Sequence, residues 1–531
     1  MENSKTAKKT RRAVWMVLAA LFTVGLFLRL YGTERRGVSF YDEAFYLVEA
    51  TTFAKIPSFI VPLLRAWPED KAGSRTLLDE HFPEGFFPSS TGRPGFVLPL
   101  SVAMLLDDGS GYAALVFPAA MGSLGILAAY LLVFAITKNA HAGLGAAALL
   151  AFLPYHVLYS RVTNPHTFTA LLLTLAAWAY TKSFEMSHRI LFRWLFLAGL
   201  LLGYALTTHV NVTPIALSWF LFETVAVFWK RRADFWGRLG VFSAGFIIPI
   251  VGWEVVMSAK GYVLGALGST HQAQGYLSEY FGILREVSGT KLTLHDASFY
   301  LDMLRYLNGN LFLAAFVAGA ALLFFFKRAR ELPVFFLLYI LAIFTAFYSL
   351  SALRASRTYV VLLPLAASII ATAFYYLCSR LPKRFLGTAV FFAIIGGLSI
   401  SFYSPLTTIL GIESGYRKAA EAFRALPENR TKVGFPWIVF QWYLKERVYS
   451  SAEKPLAGGG GDFFIVDGES KAGYPREAEF ERAASPLMTF ANPVLQYYPF
   501  TRDLYYELSR QETLDLIAKD PHLGTIRIYK L

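Results

Sequence analysis

Apolar runs long enough to cross a bilayer recur along this chain, and that repetition constrains its fold more than any other feature. A run of about 20 apolar residues can span the hydrocarbon as a helix, with its backbone polar groups satisfied internally. Such runs are Ala13–Leu30, Tyr112–Ile136, Ala142–Leu158, His166–Tyr180, Trp194–Thr208, Thr213–Trp229 and Leu239–Met257, then Gly309–Phe326, Leu332–Leu350, Thr358–Leu377 and Phe385–Phe402. They predict an α-helical polytopic membrane protein with about eleven transmembrane helices. Pro94–Leu106 is too short to span and reads as an interfacial helix. The chain is 55% hydrophobic and only 16% charged, against about 25% charged in soluble domains.

The net charge of +13 would suit nucleic acid if it formed a patch. Instead the basic residues fall in short segments between apolar runs, which is a topology signal. Lys182, Arg189 and Arg193, then Lys230, Arg231, Arg232 and Arg238, then Lys327, Arg328 and Arg330, then Arg380, Lys383 and Arg384 occupy alternate loops. With Lys5, Lys8, Lys9, Arg11 and Arg12 before an uncleaved first helix, all of them fall on the cytoplasmic side. The expected placement is the plasma (inner) membrane, with the N-terminus cytoplasmic and the C-terminus outside. A single cysteine, Cys378, excludes an internal disulfide framework.

From about Ser404 the composition changes, so the chain divides into a membrane domain, 1–403, and an extracytoplasmic α/β domain, 404–531. Strands are expected at Lys432–Phe435, Arg447–Ser450, Phe463–Asp467, Leu487–Phe490 and Thr525–Tyr529. Helices are expected at Tyr416–Leu426 and Ile438–Lys445, with a loop at Gly458–Gly461.

This threading gathers polar residues at the outer face. Asp42 and Glu43 lie in the first outer loop, and Arg93 near its end. Arg161, Asn164 and His166 form a later turn, His209 the next, and Arg354 and Arg357 the last. Two carboxylates at a bilayer surface repel each other, so a chain that keeps them there has a use for them. On a helix, Asp42 and Tyr46 share a face while Glu43 points about 100° away. A plainer reading makes the pair a helix-start feature, with Ser39 available as a cap. The arginines suit an anionic phosphate, because the guanidinium fork matches its oxygens. They also suit plain anchoring among lipid headgroups.

The pattern resembles the GT-C superfamily of membrane glycosyltransferases, in the protein O-mannosyltransferase and lipid A aminoarabinose transferase branch. The matching pieces are Leu28-Arg29-Leu30, Asp42-Glu43-Ala44 with Tyr46, Arg93-Pro94, and Phe117-Pro118 through Ala129-Tyr130. Ala142–Pro154 with Ser160-Arg161 follows, then Arg357-Thr358-Tyr359 through Pro364. Together they cover about Ala13 to Phe402, and their order is more specific than any one of them.

The resemblance implies a GT-C fold and inverting transfer of a sugar from a polyprenyl-phosphate donor to a glycan, lipid or protein hydroxyl, at the outer face of the bilayer. It makes Asp42 the base and Glu43 its neighbour, orienting Asp42 or the acceptor. It assigns Arg93, Arg354 and Arg357 to the donor phosphate, with His209 as a helper. Tyr46, Arg161, Asn164 and His166 become candidate lining residues. Where many relatives carry an acidic residue, this chain has Asn164-Pro165-His166, and where relatives often carry Lys it has His209. The first change removes an expected metal ligand, so a divalent cation lacks support from a second acidic motif. Two rival readings are a transporter or lipid flippase, and a glycan polymerase or ligase using a polyprenyl-diphosphate donor. A transporter predicts ionisable residues at mid-bilayer and paired, interrupted helices.

Overall fold

A computed structural model describes residues 2–66, 70, 73, 76, 93–107, 111–184, 188–228, 235–266, 275–278, 280–282, 298–325, 331–350, 354–426, 433–434, 438–444, 449–450, 463–467, 485–496, 501–503 and 506–530. The Gly458–Gly461 loop lies outside the described residues, as do the loop cations Lys230, Arg231, Arg232, Lys327, Arg328 and Arg330.

Seven described helices are long and apolar enough to cross a membrane: Arg11–Arg36, Tyr112–Thr137, Ile190–Thr208, Phe235–Ala259, Leu332–Ser349, Ser356–Cys378 and Arg384–Leu410. The chain is an integral membrane protein with a mostly helical fold. The other four expected spans are also helical, but they are shorter, broken or less apolar. The break in the third shows why. Pro154 opens a new helix, and Leu153 before it is extended (φ −62°, ψ 110°), because proline disfavours the helical region for its predecessor. The helix therefore stops at Phe152 and restarts as Pro154–Tyr159. The freed N–H of Tyr155 donates to Asn308 Oδ1 at 3.0 Å.

Ser356–Cys378 is the hub of the bundle, with 83% of its most apolar window buried against 22% for Arg11–Arg36. Ala366, Ala367, Ser368, Ala371 and Ala373 line it, and small side chains let neighbouring helices approach closely. The same device joins His188–Thr208 to Phe235–Ala266. A Cβ on Gly199 would sit 2.2 Å from the Phe242 carbonyl oxygen, and one on Gly203 2.1 Å from that of Phe246. Across the contact, a Cβ on Gly245 would meet the Phe196 carbonyl at 2.3 Å.

The first expected outer loop holds more structure than its composition suggested. Residues Tyr41–Ala66 form a 26-residue helix. Its buried positions Ala44, Leu47 and Ala50 recur every three residues, and they share one core with Phe96, Val97 and Leu100 of the helix Pro94–Leu105. That core continues into the C-terminal region through Tyr416, Phe423, Val439, Phe440, Phe463, Ile465, Ile526 and Ile528. One apolar layer thus ties the first loop to the C-terminal sheet.

The sheet has five strands, β1 (Val433–Gly434), β2 (Tyr449–Ser450), β3 (Phe463–Val466), β4 (Met488–Ala491) and β7 (Thr525–Lys530), in the order β2-β1-β3-β7-β4. Each overlaps an expected strand. β1 runs parallel to β2 and β3, and β7 antiparallel to β3 and β4. Two elements were not foreseen: the hairpin of β5 (Thr501–Asp503) and β6 (Tyr506–Glu507), and the helix Arg510–Lys519. The helix opens with a capping box, in which Ser509 and Glu512 exchange side-chain-to-backbone bonds.

Gly203→Leu drives a side chain into a backbone carbonyl that cannot step aside. We expect a loss of about 1–3 kcal/mol, read as a lowered melting temperature in detergent. Leu217→Ala, at an exposed position, should leave it nearly unchanged.

Candidate active site

The two adjacent carboxylates take different places. Glu43 is fully buried. Its Oε1 accepts from Arg36 Nη2 at 2.6 Å and from the Thr163 N–H at 2.8 Å. Its Oε2 accepts from Arg36 Nη1 and from the Ser39 N–H, both at 3.0 Å. Arg36 also donates to Ser39 Oγ at 2.9 Å and to the Arg161 carbonyl oxygen. Gly37, at φ 59°, supplies the left-handed turn that folds Ser39 back toward Arg36. The helix-start reading of the pair therefore describes Glu43, which pins the turn before its helix to the turn at 161–164.

Asp42 sits one residue earlier on the same first turn and keeps 26% of its side-chain surface exposed. Its Oδ2 lies 3.4 Å from Arg357 Nη1. Arg357 belongs to the last outer turn of the sequence reading, at the start of the hub helix. Arg93 enters from a third direction as the residue capping Pro94–Leu105. Its guanidinium lies over the Tyr46 ring at 5.2 Å, and Tyr46 in turn packs edge-on against Phe96 at 5.3 Å. Tyr46 thus orients Arg93 through a cation–π contact.

Two histidines complete the group. His166 begins the helix His166–Ser183, its N–H donating to Asn164 Oδ1 at 3.2 Å. Its ring is buried, and neither nitrogen has a hydrogen-bond partner among the described residues. The His209 ring lies 4.6 Å away between centroids. His209 Nδ1 accepts the Asn211 N–H at 3.0 Å, which leaves the ring proton on Nε2. Burial first, then Arg93, His166 and Arg357, hold the His209 ring well below the usual imidazole range. His209 is therefore a neutral N–H donor here. Asn211 Nδ2 donates to Thr358 Oγ1 at 2.9 Å, tying this turn to the one that carries Arg357.

Two candidate residues point elsewhere. The Arg161 guanidinium donates to the carbonyl oxygens of Ile409 and, at 2.9 Å, Tyr31. Arg354 faces the C-terminal region, 3.4 Å from Glu512 Oε2 and 5.5 Å from the Phe299 ring centroid. His271, His295 and Asp296, between the apolar runs Leu239–Met257 and Gly309–Phe326, lie outside the described residues.

Sequence reasoning missed Arg36, in Glu34-Arg35-Arg36 just after the first apolar run. It also missed the residues that hold the Arg357 turn. Tyr159 Oη lies 2.8 Å from Ser356 Oγ, Tyr155 donates to the Ser356 carbonyl oxygen, and the Ser356 N–H donates to Glu507 Oε2 at 2.5 Å. Glu507 belongs to β6 of the C-terminal region, where the sequence marked no candidate residue. Among the described residues, no three His, Cys, Asp or Glu side chains converge closely enough to hold a metal ion.

Solved structures share this architecture. ArnT from Cupriavidus metallidurans in the apo state superposes with TM-score 0.57 at 12% identity, over 98% of each chain. The same protein bound to undecaprenyl phosphate gives 0.60 at 12%, over 97% of each. The chain has the GT-C fold. The archaeal oligosaccharyltransferase AglB from Archaeoglobus fulgidus, in complex with an inhibitory peptide and a dolichol-phosphate, gives 0.50 at 13% identity, over 88% of this chain and 70% of its own. A family model described as dolichyl-phosphate-mannose-protein mannosyltransferase matches residues 94–253, less than a third of the chain. No curated protein matches the sequence. On this GT-C frame, the matched segment begins one residue after Arg93 and contains Arg161, Asn164, His166 and His209.

Removing one partner of a buried ion pair strands the other charge, at about 3–5 kcal/mol. Glu43→Ala should therefore cost several kcal/mol in thermal unfolding, while Asp42→Ala, next to it but partly open to solvent, should cost under about 1 kcal/mol.

Proposed function

We propose that this chain is an inverting glycosyltransferase that moves a sugar from a polyprenyl-phosphate donor to a hydroxyl acceptor at the extracytoplasmic face of the plasma (inner) membrane. In this reading residues 1–403 form the transferase unit, residues 404–531 cover it from outside, and the N-terminus is cytoplasmic. The carrying observation is the partly open Asp42 carboxylate beside Arg357, with Arg93, His166 and His209 grouped near that guanidinium. A lipid phosphate needs such a group, and a hydroxyl nucleophile needs such a base.

Asp42 accepts the acceptor hydroxyl's proton as the oxygen attacks the anomeric carbon from the side opposite the phosphate. The bond from that carbon to the phosphate oxygen breaks, and the leaving group departs as a phosphate anion that needs no general acid. Arg93 and Arg357 stabilise the charge that grows on it. His209 donates through Nε2, and His166 offers a ring without competing partners. Glu43 holds the helix start so that Asp42 stays beside Arg357, and Arg161 braces the same turn. Arg354 contributes by docking the C-terminal region rather than by touching the phosphate. The family description and the lipid phosphates held by ArnT and AglB support the donor class. The transferred group is a hexosyl or pentosyl unit, and the acceptor a glycan, a lipid or a protein.

Reconstituted protein given a polyprenyl-phosphate sugar should release polyprenyl phosphate. Asp42→Asn should slow release by about 10²–10⁴-fold with donor binding retained, whereas full turnover by that variant removes Asp42 from its role. Arg93→Ala should weaken donor binding by about tenfold, the loss of one charge-assisted contact of about 1.5 kcal/mol.

A further inference from the structure

The turn carrying Arg357 is held in part by a strand about 150 residues further along the chain. Glu507 of β6 grips it at two points. The Glu507 N–H donates to the Arg354 carbonyl at 2.7 Å, and Glu507 Oε2 accepts the Ser356 N–H at 2.5 Å. Ser356 is the first residue of the hub helix, so this carboxylate occupies the helix N-terminus, where negative charge is favoured. Ala355, the residue at the cap position, makes no side-chain cap of its own.

The other carboxylate oxygen faces the site. Glu507 Oε1 lies 3.8 Å from Arg357 Nη1, the same nitrogen that lies 3.4 Å from Asp42 Oδ2. One guanidinium nitrogen is thus shared between the candidate base and a carboxylate from the C-terminal region. Glu507 is buried, and burial raises its carboxyl above the ordinary range, opposed by Arg357 and the Ser356 bonds, while Asp42 adds to the rise. A strand that buries a carboxylate beside another needs a compensating cation, and among the described residues Arg357 is the one within reach.

We propose that Glu507 is a positioning residue of the donor site: it holds Arg357 beside Asp42 while the site is empty and yields the guanidinium to the lipid phosphate when the donor binds. The inference rests on the polyprenyl-phosphate reading above and gives the C-terminal region a direct part in donor binding and release. A phosphate entering between Arg93 and Arg357 competes with Glu507 for the same charge. Glu507 therefore weakens phosphate binding in the resting site and speeds departure of the lipid phosphate after transfer, when product release limits turnover.

The test is the affinity of the full-length protein for undecaprenyl phosphate, with steady-state kinetics alongside. Glu507→Gln keeps an oxygen to accept the Ser356 N–H but removes the charge that competes for Arg357. It should bind undecaprenyl phosphate about 3–10-fold tighter and lower donor KM and kcat together, the pattern of a group that opposes ground-state binding. In an Arg357→Gln background the same substitution should leave affinity unchanged, because Glu507 then has nothing to act through. Should Glu507→Gln fail to fold, Glu507→Asp carries the test: its charge sits one methylene farther from Arg357, and about twofold tighter binding is expected. Equal or weaker binding by the folded variant overturns the proposal, as does tightening that persists without Arg357. Wild-type protein that binds no undecaprenyl phosphate overturns the functional reading itself, and the proposal with it.

Discussion

The buried pair of Arg36 and Glu43 is the interaction on which the rest of this site depends. Both side chains are withdrawn from water, and neither would be tolerated there alone. The pair is workable because further polar groups complete it: the backbone N–H groups of Ser39 and Thr163 for the carboxylate, and Ser39 Oγ and the Arg161 carbonyl for the guanidinium. Three chain segments are thereby fixed together, and the first turn of Tyr41–Ala66 has one orientation. Glu43 turned inward leaves Asp42 partly exposed beside Arg357.

The division of labour between adjacent carboxylates follows from burial and not from residue type. Glu43 is fully hydrogen-bonded and closed to solvent, so it offers no lone pair to a substrate. Among the described residues Asp42 has one cationic neighbour, Arg357, and it keeps part of its own surface open. The remaining groups arrive on separate elements. Arg93 stands at a helix start and is steadied by Tyr46, His166 begins another helix, and His209 lies in the turn after a third. Packing of the hub helix and the first-loop helix thus groups Arg93, His166, His209 and Arg357 from four elements, and Arg357 links that group to the Asp42 carboxylate.

Much of this was legible in the sequence, for physical reasons that can be named. Apolar length fixed the membrane class, because a bilayer leaves helices few alternatives. The short strands around Val433, Tyr449, Phe463, Met488 and Thr525 were visible as β-branched and aromatic runs between turn residues. The helix Tyr41–Ala66 was not, because its apolar face covers the neighbouring helix and the C-terminal sheet and its other residues are mixed. Helical spacing separated Asp42 from Glu43 by about 100° but held no information on which of them faced inward. That choice is made by Arg36 and by Thr163, 120 residues away. Glu507 was invisible for the same reason: its partners Ser356 and Arg357 lie about 150 residues earlier, and nothing local in Tyr505-Tyr506-Glu507 marks it.

A structure of the protein with undecaprenyl phosphate bound tests the central claim most directly. The account predicts the phosphate between Arg93 and Arg357, within hydrogen-bond reach of His209 Nε2, with Arg357 drawn off Asp42 and Glu43 still paired with Arg36. A phosphate seated away from these residues, or Glu43 released from Arg36 to face it, would contradict the account.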